Sequence, residues 1–463
     1  MIERLCADSR RCAPGVAFLA YPGESADGRR YIGDALARGS SAVLWESDGF
    51  AWNQAWRVPN IAVQGLKAAA GSLAHEFYGR PSESLWTCGV TGTNGKTSCS
   101  QWIAASLRAR GMQTGVIGTL GSGFPGALCA ESNTTPDALE LHRRLAELRR
   151  DGAQAVVMEA SSHGLVQGRL NGVAFDCALF TNLSQDHLDL HATMEDYFDA
   201  KRRLFTPEHA RHAVVNADDP WGRRLLEDPA IATTSYGIDA AADVRADDVS
   251  VDAGGATVVI GGVSVRTALR GRFNVENVLA ALAAAQVVGI GLDVGARGVG
   301  EVQRVPGRME PVDAGQDFTV VVDYAHTPDS IHSVLRGARG SAEGRVIVVF
   351  GCGGDRDRAK RPMMGRTAAE DADLVIVTND NPRTEDPLAI IDEITSGIPD
   401  GAAAIVEPDR AAAIERAIEA ARPGDVVVVA GKGHETTQEI DGVFVPFDDR
   451  EVARAALARR SSG

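Results

Sequence analysis

Short apolar runs that end abruptly in a polar or glycine-rich turn recur along most of this chain. Leu85 to Val90 leads into a glycine-rich loop, Ala155-Val156-Val157-Met158 stops at Glu159, and Ala178-Leu179-Phe180 stops at Thr181-Asn182. Further on, Val346-Ile347-Val348-Val349-Phe350 precedes Gly351, Leu374-Val375-Ile376-Val377 precedes Thr378, and Val426 to Val429 precedes Ala430-Gly431. Helix-compatible segments often follow. Strands alternating with helices predict parallel sheets covered on both faces. In such sheets ligands sit beyond the carboxyl ends of the strands, so the polar residues closing each run are where chemistry is expected. The pattern separates three zones. Residues 1–80 mix short strands with helices, residues 81–305 open on the strand before the glycine-rich loop, and residues 306–463 begin at Pro306-Gly307.

Length agrees with that division, since 463 residues allow about three domains at roughly 150 residues each. Hydrophobic residues make up 44% and charged residues 24%, a globular balance that argues against disorder. Aromatics are only 5%, which leaves the cores to Val, Ala, Leu and Ile. The net charge of -15 makes nucleic acid a poor partner, because phosphate contacts need clustered Lys and Arg. No apolar run approaches the ~20 residues that span a bilayer, and Met1 to Arg11 has nothing like a signal peptide. No membrane insertion is expected. The seven cysteines are scattered without a CxxC pair, so neither zinc nor a disulfide framework is indicated. Free thiols fit a reducing, cytoplasmic location.

The strongest local signal is Gly89-Val90-Thr91-Gly92-Thr93-Asn94-Gly95-Lys96-Thr97-Ser98, between an apolar strand and a helix-compatible stretch, Ser98 to Leu107. Glycines let backbone N–H groups approach phosphate oxygens, and the helix N-terminus adds a favourable dipole. Lys96 can reach the β- and γ-phosphates of a nucleotide, and Thr97 can hold Mg²⁺. The common phosphate loop has a further glycine where this chain has Val90.

Glu159 ends its strand where a carboxylate would sit beside that loop. A further metal ligand could come from Asp186-His187-Leu188-Asp189-Leu190-His191. Magnesium prefers oxygen ligands, and taken alone such histidines are more often structural groups. Lys201, in Tyr197-Phe198-Asp199-Ala200-Lys201, reads from the residues alone as a solvated helix lysine. Asp323-Tyr324-Ala325-His326, Gly351-Cys352-Gly353-Gly354-Asp355-Arg356 and Asp380-Asn381-Pro382-Arg383 each follow an apolar strand. Arginines there suit bidentate carboxylate capture. In Gly431-Lys432-Gly433-His434-Glu435 the glutamate could hold an ammonium group.

Together these motifs resemble the Mur ligase family. Thr91-Gly92-Thr93-Asn94-Gly95-Lys96-Thr97 is similar to its ATP loop and accounts for Val90. Asn182-Leu183-Ser184-Gln185-Asp186-His187-Leu188-Asp189 is similar to its central signature. The run Asp380-Asn381-Pro382-Arg383 resembles that of members that add meso-2,6-diaminopimelate. The likeness extends from Asp8-Ser9-Arg10 to Gly433-His434-Glu435. It implies an α/β fold of three domains: a small N-terminal α/β domain, a central phosphate-loop domain with a mostly parallel sheet between helices, and a C-terminal Rossmann-like domain. It also implies an ATP- and Mg²⁺-dependent, amide-forming ligase of peptidoglycan synthesis, acting as a monomer on UDP-N-acetylmuramoyl-L-alanyl-D-glutamate.

Residue by residue, the resemblance assigns Ala7, Ser9, Glu24, Ser25 and Ala26 to the UDP end of that substrate. Thr134, Thr135, Ser161, Gln167 and Arg169 would contact its dipeptide. The first motif lies so close to Met1 that a strand preceding it in relatives is expected to be short. Asn216 and Asn274 are implied on the adenine side, with Arg308 and Asp323 also at the nucleotide. Lys96, Glu159, His187 and Lys201 are implied in catalysis. Thr97, Glu159, His187 and Lys201, the last as a carbamate formed with CO₂, would hold Mg²⁺. Arg356, Asp380, Asn381, Pro382, Arg383, Gly431 and Glu435 would bind diaminopimelate. Three other readings stay open: a lysine-adding relative, a folylpolyglutamate synthase, and a phosphate-loop nucleotide switch.

Overall fold

The computed structural model describes residues 1–24, 26–252 and 254–462. The N-terminal region is a four-stranded parallel sheet, β1 (Arg4–Cys6), β2 (Val16–Ala20), β3 (Ala42–Glu46) and β4 (Asn60–Val63), in sequential order. It carries α1 (Ile32–Ala37) and α2 (Leu66–Phe77). The first strand has three residues.

The central sheet has nine strands: β5 (Trp86–Thr91), β6 (Thr114–Gly118), β7 (Gly121–Phe124), β8 (Ala127–Cys129), β9 (Ala155–Glu159), β10 (Phe175–Phe180), β11 (Ala210–Asn216), β12 (Ala232–Gly237) and β13 (Val244–Arg245). Their order is β13-β12-β11-β10-β5-β9-β6-β7-β8, and among these strands only β7 runs against the others. Its helices are α3 (Lys96–Ala109), α4 (Ala138–Arg150), α5 (Ser162–Val166), α6 (Met194–Arg202), α7 (Pro220–Glu227), α8 (Arg272–Val287) and α9 (Leu292–Glu301). Alternation along β9 shows why both faces are covered. Ala155 and Val157 pack with Trp102 of α3 and Leu279 of α8, whereas Val156 and Met158 pack with Leu141 and Leu145 of α4. All four strand residues are almost fully buried, which explains the unbroken apolar run.

An antiparallel sheet that the reading of apolar runs passed over follows: β14 (Asp248–Asp252), β15 (Gly255–Ile260) and β16 (Val263–Thr267). Its signal was present as period-two alternation, Val258 and Ile260 buried against Val265.

The last sheet comprises β17 (Glu310–Pro311), β18 (Thr319–Asp323), β19 (Val346–Phe350), β20 (Leu374–Val377), β21 (Ala404–Val406) and β22 (Val426–Ala430), in the order β17-β18-β22-β19-β20-β21. Apart from the antiparallel edge β17 it is parallel. Helices α10 (Pro328–Arg339), α11 (Lys360–Asp371) and α12 (Pro387–Thr395) share the apolar cluster on one face, and α13 (Arg410–Ala420) and α14 (Asp449–Ser462) that on the other. A hairpin, β23 (Thr437–Ile440) with β24 (Val443–Pro446), projects beside the Asp380–Arg383 run.

Candidate active site

The glycine-rich loop joins β5 to α3. Val90 is fully buried within β5, and the strand continues to Thr91, so the loop opens at Gly92. Gly92 has φ +142° and a Cβ there would lie 1.8 Å from Thr181 Oγ1. Gly95 has φ +87°, and its Cβ would meet Asn277 Oδ1 at 2.3 Å. Both positions therefore require glycine. The central signature braces the loop. Thr93 N–H donates to Asn182 O and Asn94 N–H to Asn182 Oδ1, each at 2.9 Å.

A cavity of about 430 Å³ opens over this loop. Thr93 to Ser98 form its floor, Glu159 and His187 one wall, and Asn216, Arg308 and Asp323 others. Glu159 ends β9 with Oε1 accepting from Thr97 Oγ1 at 3.0 Å, while Thr119 Oγ1 donates to Oε2 at 2.9 Å. Arg308 donates from Nη2 to Thr97 Oγ1 at 2.9 Å and lies over the Tyr324 ring at 4.5 Å. Asp323 accepts from Met309 and Ala325 N–H and so ties Met309 to the end of β18.

Lys201 corrects the solvated-lysine reading, since it is only 1% exposed. Its Nζ donates to Gly92 O at 2.9 Å, the same carbonyl that Lys96 Nζ meets at 3.0 Å. Burial, and next the charge of Lys96, hold the Lys201 amine well below the usual lysine range. The signal in the sequence was its place on α6, four residues after Tyr197, over whose ring the amine sits at 4.4 Å.

His187 stands at φ +56°, uncommon for a side chain with a Cβ. Burial pushes its imidazole down to about 3, so the ring is neutral near pH 7 and able to bind a cation. Beside it Asp186 meets Lys360 Nζ at 3.0 Å and His326 at 3.6 Å, both from the C-terminal region. Burial alone would raise the Asp186 carboxyl, but Lys360 and the two histidines outweigh it and hold it well below the carboxylate range.

Asn216 donates to Thr181 O at 2.8 Å and lines the cavity. Asn274 is buried with Nδ2 on Arg270 O, and the cavity is lined one turn along α8 by Asn277, which the sequence reading missed. Asn277 Nδ2 donates to Asn274 Oδ1 at 3.3 Å, so Asn274 reaches the cavity through it. The i, i+3 spacing on a helix before an apolar stretch was the available signal.

Thr135, Ser161, Gln167 and Arg169 come together. Thr135 Oγ1 lies 3.0 Å from Ser161 Oγ, and Arg169 donates to Thr135 O at 2.7 Å and to Gln167 Oε1 at 2.9 Å. Thr134 adjoins them on the cavity wall, 3.1 Å from Thr119. Ala7 and Ser9 follow β1, and Glu24 and Ala26 follow β2, at the carboxyl edge of the first sheet and outside the cavity lining. Glu24 pairs with Lys67, and Ser25 lies outside the described residues.

The last group forms a separate nest. Asn381 Nδ2 donates to Glu435 Oε2, and the buried Lys432 Nζ donates to Asn381 Oδ1 and Glu435 Oε2, all at 2.9 Å. A Cβ at Gly431 would lie 2.4 Å from Asp380 Oδ2, and one at Gly354 would lie 1.9 Å from Pro382 O. Arg383, at φ +52°, donates from Nη1 to Gly354 O at 2.6 Å. Arg356 is exposed and donates to Asp355 O.

Three family descriptions match this chain in sequence: Mur ligase family, catalytic domain, over residues 1–78; Mur ligase middle domain over 90–285; and Mur ligase, glutamate ligase domain, over 307–433. The chain belongs to the Mur ligase family. These ligases are ATP-dependent and form amide bonds, so this chain is an enzyme of that class. This Mur ligase is 48% identical over 466 residues to the UDP-N-acetylmuramoyl-L-alanyl-D-glutamate--2,6-diaminopimelate ligase of Chromobacterium violaceum, covering 98% of this chain and 94% of that one. A ligase of the same name from Pseudomonas aeruginosa is 47% identical, with 99% and 95% covered. A solved structure of a ligase so named superposes with a TM-score of 0.68 at 37% identity, covering 99% and 95%. MurF ligase from Thermotoga maritima in complex with ADP shares the three-domain fold at a TM-score of 0.71, with 19% identity and 99% and 98% covered. Among the described residues no helix is long and apolar enough to cross a membrane.

Proposed function

We propose that this Mur ligase joins meso-2,6-diaminopimelate to UDP-N-acetylmuramoyl-L-alanyl-D-glutamate at the cost of ATP, in the cytoplasm and as a monomer. Residues 1–80 would take the UDP end, 81–305 ATP and the dipeptide, and 306–463 the amino acid. The substrate reading is carried by Arg383, whose Nη2 has no partner among the described residues, beside Asn381 and Glu435. Near-full-length relatives bearing that ligase's name support it.

The γ-carboxylate of the D-glutamyl residue attacks the γ-phosphorus of ATP, and the bond to the β,γ-bridging oxygen breaks, giving an acyl phosphate and ADP. The amine of diaminopimelate then attacks the acyl carbon, loses a proton and expels phosphate. A free carboxylate would have to expel oxide, and phosphorylation supplies the better leaving group. Two anions must meet in the first step. Lys96 offsets their repulsion at the γ-phosphate, and the N-terminus of α3 does so at the neighbouring phosphates. Arg308 adds positive charge at Thr97.

The donors facing the loop fit magnesium. Thr97 Oγ1 and Glu159 Oε1 are oxygens 3.0 Å apart, and His187 is neutral. Among the described residues no three His, Cys, Asp or Glu side chains form a metal cluster, so phosphate oxygens and water would complete the shell. When bound, Mg²⁺ neutralises charge on the transferring phosphoryl group. Lys201 favours carbamate formation because two ammonium groups at one buried carbonyl repel each other, and an unprotonated amine reacts with CO₂. The carbamate turns that second cation into an oxygen donor.

Phosphate release with ATP, the UDP-dipeptide and a panel of amino acids tests the proposal. Release stimulated by meso-diaminopimelate and not by L-lysine is expected. Release indifferent to any amino acid would point to a nucleotide switch instead.

A further inference from the structure

Arg383 is held by the hairpin β23–β24 more than by its own segment. Its backbone N–H donates to Glu439 O at 3.1 Å, and its carbonyl accepts from Asp441 N–H at 2.8 Å. These bonds make a strand-like bridge between Arg383 and Ile440 and sustain the left-handed backbone at φ +52°. The same hairpin strand turns a side chain back, and Glu439 Oε2 accepts from Arg383 Nε at 3.1 Å. Glu439 N–H also donates to Asn381 Oδ1 at 3.0 Å, and Gln438 Nε2 to Asp380 O at 2.6 Å. The hairpin is thus stitched along the whole Asp380-Asn381-Pro382-Arg383 run.

A guanidinium has five N–H donors in one plane. Glu439 takes the donor on Nε and Gly354 O takes one on Nη1. The end formed by Nη1 and Nη2 keeps the remaining donors, and it is the end suited to a carboxylate by two parallel bonds. A Cβ at Gly353 would lie 2.8 Å from Nη1, so the floor beneath the arginine is backbone alone. The Arg383 and Glu439 side chains are 21% and 26% exposed, enough shielding for the pair to fix an orientation.

We infer that Glu439 is the positioning residue that sets amino-acid selectivity, by holding the Arg383 guanidinium edge-on so that its free end meets the distal carboxylate of the incoming amino acid. This rests on the substrate reading above. Without Glu439 the arginine gains freedom and must be ordered by each substrate, which weakens binding of the dicarboxylate and leaves lysine, with no group to meet it, unaffected.

The test is steady-state kinetics on purified wild type, Glu439→Ala and Glu439→Gln with meso-diaminopimelate and with L-lysine. Glu439→Ala is expected to raise KM for diaminopimelate about ten- to a hundredfold. The kcat at saturation, the KM for ATP and the use of lysine should stay within about twofold, because no group touching the phosphates has changed. Glu439→Gln keeps an acceptor oxygen and should recover most of the lost affinity. A purely structural role would instead lower kcat and affect both amino acids alike. Wild-type selectivity retained in Glu439→Ala, or lost equally for both amino acids, overturns this inference alone. A wild type that does not select diaminopimelate overturns the substrate reading with it.

Discussion

The proposed phosphate end and the proposed amino-acid end of this site are built on opposite plans. At the phosphate end Gly92, Glu159 and Asn216 stand within or directly after neighbouring parallel strands, and the loop lies over a fully buried core. At the amino-acid end Asp380 to Arg383 sit on a loop, and one of them has a left-handed backbone sustained by a hairpin more than fifty residues away in sequence. That hairpin is itself exposed, Phe444 at 65%. The difference suits the chemistry. Every member of such a family must hold the same phosphates, whereas the amino acid differs between members, and a loop clamped from outside can change without disturbing the core.

Damage at the phosphate end should be larger and indifferent to the amino acid. Lys96→Ala should lower kcat by about a thousandfold or more with every amino acid, with an unchanged melting curve. Phosphate release and thermal unfolding check both halves. Near-normal turnover in the folded variant would remove the loop from the mechanism. Lys201→Ala comes next, at about a hundredfold or more, and short carboxylates such as acetate should restore part of the loss by supplying an oxygen anion. A steady kcat across an acetate titration would count against the carbamate.

At the other end the loss should depend on the amino acid. Arg383→Ala should cost about a hundredfold in kcat/KM for diaminopimelate, since a charge-assisted pair is removed, and less than threefold in KM for ATP. Parallel losses for both substrates would erase the contrast between the two ends.

The contrast also governs what the sequence could disclose. Gly92 to Ser98 are contiguous and their neighbours regular, so loop, strand and helix were legible together. The strand ends at Glu159, Phe350, Val377 and Ala430 were legible because buried parallel strands are continuously apolar. The Arg383 motif was legible, but its clamp was not, because Glu439 reads as one more acidic residue on a polar strand. Lys360 was missed for the same reason, since its partner Asp186 lies 174 residues away. Lys201 shows the converse. Its neighbours suggested a solvated helix face, and only tertiary packing against Gly92 O and the Tyr197 ring buries it.

The smallest predicted effect concerns pH at the nucleotide cavity. Glu276 lines it, and burial, then Asp218, push its carboxyl up to about 7. The group is neutral below that value in the folded protein and becomes an anion above it, beside a site for an anionic nucleotide. The KM for ATP should therefore rise a few-fold, roughly twofold to fivefold, between pH 6 and pH 8. Glu276→Gln should flatten that rise, and a slope unchanged in the variant would assign it to another group. For stability the sign is the reverse of the usual carboxylate. The folded form binds the proton more tightly than the unfolded chain, so this residue's contribution falls as pH climbs from about 4.5 to about 7.

A competition experiment isolates what Arg383 does for the choice of amino acid. Wild-type enzyme is given ATP, the UDP-dipeptide, and meso-diaminopimelate and L-lysine at equal concentration, and the UDP-linked products are separated by mass spectrometry. The diaminopimelate tripeptide is expected almost alone, because lysine would leave the Arg383 guanidinium without a carboxylate. Lysine product in equal amount, or ADP formed with no tripeptide, would contradict it.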